Sequence, residues 1–220
     1  MNPSPFGHAV KRLLDIALCI ASLPIVMPLG AAIAVAVKLT SPGPVLYRAN
    51  RIGRDMRPIS VWKFRTMRAD CGGPSITRTG DPRITPFGHW LRDSKLDELP
   101  QVLNVLKGDM SLVGPRPEDP RYVASYSPEQ RRVLSMRPGI TSLAFLRFGH
   151  EQELIERAGA SDPETYYLTE ILPEKLAIEL RYVRNWTMRG DLRILARTVG
   201  GLFSESATTA VSPVPHHEFR

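Results

Sequence analysis

The sequence predicts an α+β protein, mainly helical with a small β-hairpin, carried on an N-terminal re-entrant membrane helix. Three observations predict it. Leu13 to Val37 is apolar apart from Asp15, Cys19 and Ser22, and at about 1.5 Å per helical residue it is long enough for a hydrocarbon core of roughly 30 Å. Two short runs of β-branched and aromatic residues then flank a Gly-Arg-Asp turn. The rest carries apolar residues at helical spacing between turns marked by proline and glycine.

The flanks of the apolar segment bear on its topology. Lys11 and Arg12 precede it, while Lys38, Arg48, Arg51, Arg54 and Arg57 follow it. Basic residues favour the cytoplasmic side, so both ends call for the same side. Pro24 and Pro28 fall in the middle, where each removes a backbone donor and crowds the preceding turn. They mark where the helix would break and turn back, and the carbonyls they free would need partners inside the bilayer. A kinked spanning helix is the competing reading. A cleaved signal peptide fits less well, because the stretch is long and runs directly into more sequence. Asp15, one turn from Lys11 and Arg12, is expected to pair with them.

The formal charge of +7 over 220 residues is uneven. Through Pro58, seven basic residues face two acidic ones. Beside an apolar segment this excess reads as contact with the anionic headgroups of membrane lipids. No nucleic-acid motif accompanies it, so nucleic acid is not an expected partner. Cys19 and Cys71 form no disulfide framework or metal pattern, which suits a reduced cytoplasmic body. Three parts follow: a membrane helix over 1–39, a cytoplasmic domain over 40–203, and a disordered tail over 204–220 with little apolar content. His216 and His217 in that tail are assigned no metal.

Thr40-Ser41-Pro42-Gly43-Pro44 should end the membrane helix. Val45 to Arg48 and Ile59 to Phe64 read as strands joined through Gly53-Arg54-Asp55, with Ile59, Val61 and Lys63 on one face. Cys71 to Thr79 reads as a polar loop and Phe87 to Asp93 as a short helix. Further helices are expected over Pro128–Met136, Glu151–Ala158 and Pro173–Trp186, the last with Leu176, Leu180 and Val183 on one face. Asp191 to Phe203 is amphipathic, and Ile194, Leu195, Val199 and Leu202 could meet the body or the membrane interface.

The chemistry points to Asp97 and Glu98. A carboxylate can be a nucleophile or a metal ligand. Ser94 with Asp97 three residues on also matches a capping box, in which Asp97 merely caps a helix. Pro100 would then fall beyond the first turn, where proline is costly. Starting the helix at Asp97 instead puts Pro100 in the first turn and both acids near a helix N-terminus, which favours ionised carboxylates and attracts phosphate. Arg116 stands between Pro115 and Pro117, so its fork can be preset for a phosphate. Arg92 upstream of the acids, and Lys63 and Arg65 around the second strand, are further candidates for phosphate or headgroup contact. Ordinary surface charge competes for Lys63 and Arg65, and Arg137 could be purely structural.

Several stretches resemble the monotopic polyprenyl-phosphate phosphoglycosyl transferases, a family of bacterial sugar transferases. They are Lys11-Arg12-Leu13-Leu14-Asp15, Ser41-Pro42-Gly43-Pro44, Arg51-Ile52-Gly53-Arg54, Lys63-Phe64-Arg65-Thr66-Met67, the run from Ser94 to Pro117, and Arg137-Pro138-Gly139-Ile140-Thr141. The resemblance implies a re-entrant helix in the bacterial inner membrane and a catalytic body on its cytoplasmic face. It implies transfer of a sugar-1-phosphate from a nucleotide sugar, usually a UDP-sugar, to polyprenyl (undecaprenyl) phosphate with release of UMP. That is the first membrane step of polysaccharide or glycoconjugate synthesis. Asp97 would be the nucleophile that forms a phosphosugar intermediate, and Glu98, with Asp97, would hold Mg²⁺. Direct displacement by the lipid phosphate with Asp97 as base, and a non-catalytic basic membrane scaffold, are the alternatives. A homodimer is left open.

Two departures stand out. Many members break the helix at Ser-Pro, whereas here Met27 precedes Pro28, with Ser22 as a substitute hydrogen-bonding group. After Thr141 many members continue Gly-x-Ala-Gln-Val-x-Gly-Arg; here Ser142 to Glu151 differs, so the donor sugar is not transferable from the commonest members.

Overall fold

The computed structural model describes residues 5–68, 80–149, 151–160 and 162–202. The expected loop over Cys71–Thr79, Phe203 and the tail with His216 and His217 lie outside them. The chain opens with α1 (Pro5–Thr40), a helix of 36 residues that contains both Pro24 and Pro28. The helix is assigned continuously through both prolines, where the sequence suggested a break. An interior proline removes one bond and bends a helix without having to end it. Ser22 donates to the Cys19 carbonyl at 2.7 Å, so it does not reach the Ile20 or Pro24 carbonyls that the prolines leave open. The helix ends at Thr40, as the turn residues after it require.

One face of α1 packs on the body. Lys11, Asp15, Cys19, Ile33 and Val37 are buried, while Leu13, Ile20, Ile25, Met27, Val35 and Leu39 are exposed. Near the N-terminal end the anchors are polar. Arg12 donates to the carbonyls of Val105 and Leu106 at 2.6 and 3.0 Å, capping the last turn of α3 (Gln101–Lys107). Lys11 pairs with Asp191 at 2.5 Å. Asp15 accepts from the Ser111 hydroxyl at 2.7 Å and the Leu112 N–H at 3.3 Å. The expected pairing of Asp15 with Lys11 and Arg12 is therefore replaced, because burial of this face offers each group a partner on the body.

Strand β1 (Leu46–Ile52) pairs antiparallel with β2 (Pro58–Phe64), from Leu46 opposite Phe64 to Ile52 opposite Pro58. The hairpin is the expected one, with a longer first strand. A second pair was not foreseen: β3 (Ser111–Val113) lies parallel to β4 (Gly139–Thr141). Helix α2 (Pro86–Asp93) precedes the acids, and α4 (Pro120–Ala124), α5 (Phe145–Phe148), α6 (Glu151–Arg157) and α7 (Pro163–Tyr166) follow β3. A π-helical turn, Tyr167–Ile171, leads into α8 (Leu172–Arg184), and α9 (Met188–Leu202) closes the described chain. The helix expected over Pro128–Met136 is a 3₁₀ run, Gln130–Ser135. It starts with a reciprocal cap in which the Ser127 N–H donates to Gln130 and the Gln130 N–H donates to Ser127, at 2.8 and 3.2 Å.

Two apolar clusters include α1. Cys19 joins Val61, Val102, Val105 and Met110, and Ile33 and Val37 join Phe64 and Leu91. A third lies under α8, where Leu172 and Leu176 meet Tyr122, Tyr126 and Val133. On α9, Ile194 is buried and Val199 is exposed, so that helix is split between body and outside. The acid turn sits between α2 and α3, over β2.

Candidate active site

Ser94 ends α2 instead of capping a new helix: its hydroxyl donates to the Trp90 and Leu91 carbonyls at 2.7 and 3.2 Å. The capping box with Asp97 is not formed. Lys95 adopts a left-handed conformation, φ 57° and ψ 13°, and turns the chain into a 3₁₀ turn, Leu96–Glu98. Leu99 and Pro100 are helical in backbone angles and lead into α3. Pro100 thus precedes α3 as its N-cap instead of lying in its first turn, and its missing N–H leaves no bond unmade there. Asp97 and Glu98 are both 8% exposed.

Glu98 is held by two cations. Lys63, on β2, donates to it at 2.8 Å. Arg116 grips it with both terminal nitrogens, Nη1 to Oε2 at 2.8 Å and Nη2 to Oε1, and donates to the Ile140 carbonyl at 2.9 Å. The Pro-bracketed arginine thus meets the acid pair. Burial alone would raise the Glu98 carboxyl, but Arg116 and Lys63 outweigh it and hold the group well below the usual carboxylate range. Asp97 differs. Its one ion-pair contact among the described residues is Lys63 at 3.9 Å. Burial pushes its carboxyl above the ordinary value, and Lys63 offsets only part of that. The expectation of two readily ionised acids at a helix N-terminus therefore holds for Glu98 and not for Asp97.

The other candidates divide. Arg92 donates from Nε to the Thr66 hydroxyl at 2.8 Å and contributes positive potential at Asp97. Arg65 is directed elsewhere: its guanidinium donates to the Pro42 and Ser41 carbonyls at 2.6 and 2.7 Å, fixing the linker after α1. Strand β2 ends at Phe64, so Arg65 lies just beyond it and does not share the face that Lys63 presents to the acids. Arg137 donates to the Gly108 carbonyl at 2.9 Å, just past α3.

Three residues escaped the sequence reading. Lys95 donates to the Gly149 carbonyl at 2.7 Å, and burial pushes its ammonium down while Glu98 acts in the opposite sense. Phe145 lies beside two cations, 5.3 Å from the Arg116 guanidinium and 6.0 Å from the Lys95 ammonium. Glu179, on α8, accepts from the Arg116 N–H at 3.3 Å. Its burial pushes the carboxyl up to about 7, against the pull of the Ser142 hydroxyl and that N–H. Only the helical spacing of Glu179 on its apolar face signalled it, since an acid there must be satisfied by something.

As a donor set for Mg²⁺, Asp97 and Glu98 offer adjacent hard oxygens. Among the described residues no cluster of three or more acidic, histidine or cysteine side chains could hold a metal by itself. Both Glu98 oxygens already accept from Arg116 and Lys63, so the pair fits Mg²⁺ only where substrate phosphate draws those cations away and, with water, supplies the remaining ligands.

The bacterial sugar transferase family matches residues 6–205. The chain belongs to that family. Among curated relatives, a UDP-glucose:undecaprenyl-phosphate glucose-1-phosphate transferase of Escherichia coli is 36% identical over 206 residues, covering 89% of this chain and 40% of that protein. A UDP-N-acetylgalactosamine-undecaprenyl-phosphate N-acetylgalactosaminephosphotransferase of Aeromonas hydrophila is 36% identical over 204 residues, covering 90% of this chain and 44% of that protein. An exopolysaccharide production protein of Rhizobium leguminosarum is 38% identical over 199 residues, covering 86% and 93%. The chain thus spans less than half the length of the first two. Glucose and N-acetylgalactosamine appear in the names of relatives at equal identity, so similarity does not select a sugar.

Proposed function

We propose that this bacterial sugar transferase moves a sugar-1-phosphate from a UDP-sugar to undecaprenyl phosphate, releasing UMP, through a covalent phosphosugar intermediate on Asp97. The transfer takes place at the cytoplasmic face of the inner membrane and opens polysaccharide or glycoconjugate synthesis. The observation that carries this reading is the unequal treatment of the two acids. Glu98 has both oxygens engaged by Lys63 and Arg116, whereas Asp97 accepts no contact closer than 3.9 Å from a cation among the described residues. Burial disfavours the charged form of Asp97, while Lys63 and Arg92 favour it, and once ionised its oxygens have no close cation to compete with attack on phosphorus.

In the first step an Asp97 oxygen bonds to the sugar-bearing phosphorus, and the bridging oxygen leaves with UMP. In the second, an oxygen of the lipid phosphate bonds to that phosphorus and the Asp97–phosphorus bond breaks, restoring the carboxylate. Two anionic substrates then visit one carboxylate in turn. Arg116 and Lys63 orient the phosphoryl oxygens and offset their charge. Mg²⁺ held by Asp97 and Glu98 would neutralise diphosphate charge as UMP leaves. Direct displacement with Asp97 as base is less favoured, because a phosphate monoester with a second pKa near 6 is mostly ionised at pH 7 and needs no base.

The re-entrant placement of α1 is supported by its docking. Its N-terminal part is fixed to the body through Arg12 and Asp15, and its C-terminal part through Ile33 and Val37. Both ends therefore attach to one polar body, which a crossing helix would separate. The decisive experiment incubates the protein with a UDP-sugar labelled in its sugar, without lipid acceptor. Label should appear on the protein, one UMP should leave per label, and Asp97→Asn should lose both. UMP release undiminished in Asp97→Asn would remove Asp97 as nucleophile.

A further inference from the structure

We propose that Lys95 is a donor-binding residue whose ammonium, together with Arg116, receives the diphosphate of the nucleotide sugar; this rests on the transferase reading above. The argument begins with charge. Lys63 and Arg116 are both matched by Glu98. Lys95 has no carboxylate within ion-pair distance among the described residues, and its one hydrogen-bonded partner is the Gly149 carbonyl at 2.7 Å. A carbonyl accepts a hydrogen bond and leaves the charge unneutralised. An ammonium has three donors, so two remain for another acceptor.

Position completes it. The Lys95 ammonium and the Arg116 guanidinium lie 6.0 and 5.3 Å from the same Phe145 ring. The Lys95 carbonyl accepts the Glu98 N–H at 3.2 Å, so this residue also begins the acid turn. A partly buried cation without a counter-ion among the described residues, near enough to Arg116, Glu98 and Asp97 to feel their charges, is the complement of a phosphate. The left-handed backbone adds to this. Glycine would take φ 57° without strain at this position after α2, and a lysine there carries strain of the kind that clusters at functional sites. Because Lys95 also holds Gly149, it ties the phosphate subsite to α5, within the segment where this chain departs from many members of its family.

Three variants test the assignment: Lys95→Met removes the cation, Lys95→Arg keeps it, and Lys95→Gly removes it while relieving the backbone strain. The readouts are KM for the UDP-sugar, KM for undecaprenyl phosphate, and the affinity for UDP measured by calorimetry without turnover. Loss of a charge-assisted contact should raise the donor KM and weaken UDP binding about tenfold or more in Lys95→Met, with the lipid KM unchanged and partial recovery in Lys95→Arg. Lys95→Gly should melt no lower than the parent and still lose donor affinity. UDP affinity and donor KM within twofold of the parent in Lys95→Gly would overturn the proposal and reduce Lys95 to a turn residue. Failure of the transferase reading is separately visible, since the parent protein would then release no UMP from any UDP-sugar while the UDP-binding comparison still reports on Lys95.

Discussion

A buried carboxylate stays ionised only where nearby cations replace the water it has lost. Asp97 and Glu98 are peptide neighbours with the same exposure, yet Lys63 and Arg116 hydrogen-bond to Glu98, while Asp97 has only the longer Lys63 contact at 3.9 Å among the described residues. The sign of each shift gives a consequence. Glu98, held below its ordinary range, contributes stability that is present above its unfolded value and is lost as pH falls through its folded one. Glu98→Gln leaves two partly buried cations without their acid. It should lower stability at pH 7 by roughly 3 kcal/mol, with the deficit shrinking as unfolding is repeated below about pH 4.5. Chemical unfolding of both proteins across that range is the check. Asp97 is shifted the other way, so Asp97→Asn should leave stability unchanged or raised while removing activity, the trade expected of a strained active-site group.

The elements that carry the site are short, and brevity decided what could be foreseen. α1, the hairpin, α2 and α8 announced themselves through long apolar runs, turn residues and periodicity. Three-residue strands such as β3 and β4 contain too few alternations to show a period, so their parallel pairing was hidden. Arg116 was legible as a site residue, a Pro-bracketed arginine downstream of two acids, but the expectation gave its fork to a phosphate and its pairing with Glu98 was not foreseen. Arg65 stood out for its charge near Lys63, and its use on the Pro42 and Ser41 carbonyls depends on a linker fold that local sequence does not show. Lys95 was invisible, since nothing local distinguishes a left-handed lysine from a helical one. The β3–β4 pair also gives a prediction. A methyl group on Gly114 would come within 2.2 Å of the Arg137 carbonyl oxygen and 3.0 Å of the Gly139 nitrogen. Gly114→Ala should therefore force the Arg116 loop away from β4 and reduce UMP release at least tenfold, because a displacement near 1 Å in a positioned group can cost about a hundredfold in rate. A variant that retains full turnover would mean that the loop adapts without disturbing Arg116.

At the scale of the whole molecule, α1 belongs to the interior as much as to the membrane. Cys19, Ile33 and Val37 complete clusters that also contain Val61, Phe64, Leu91 and Val102. Cutting the chain after Thr40 should expose those residues and give an insoluble body, checked by expressing residues 41–220 and assaying the soluble fraction; a folded, soluble fragment would show that the body closes without α1. The contacts that dock the helix have one more consequence, for the order of events during synthesis. Arg12 finds its carbonyls 93 and 94 residues downstream, and Lys11 finds Asp191 180 residues downstream. The helix emerges from the ribosome long before either partner exists, with its outward face bare. Domains fold as their chain becomes available, and apolar surface left exposed meanwhile aggregates. In the proposed membrane placement the bilayer shelters α1 first, and the body then folds onto a helix already in place.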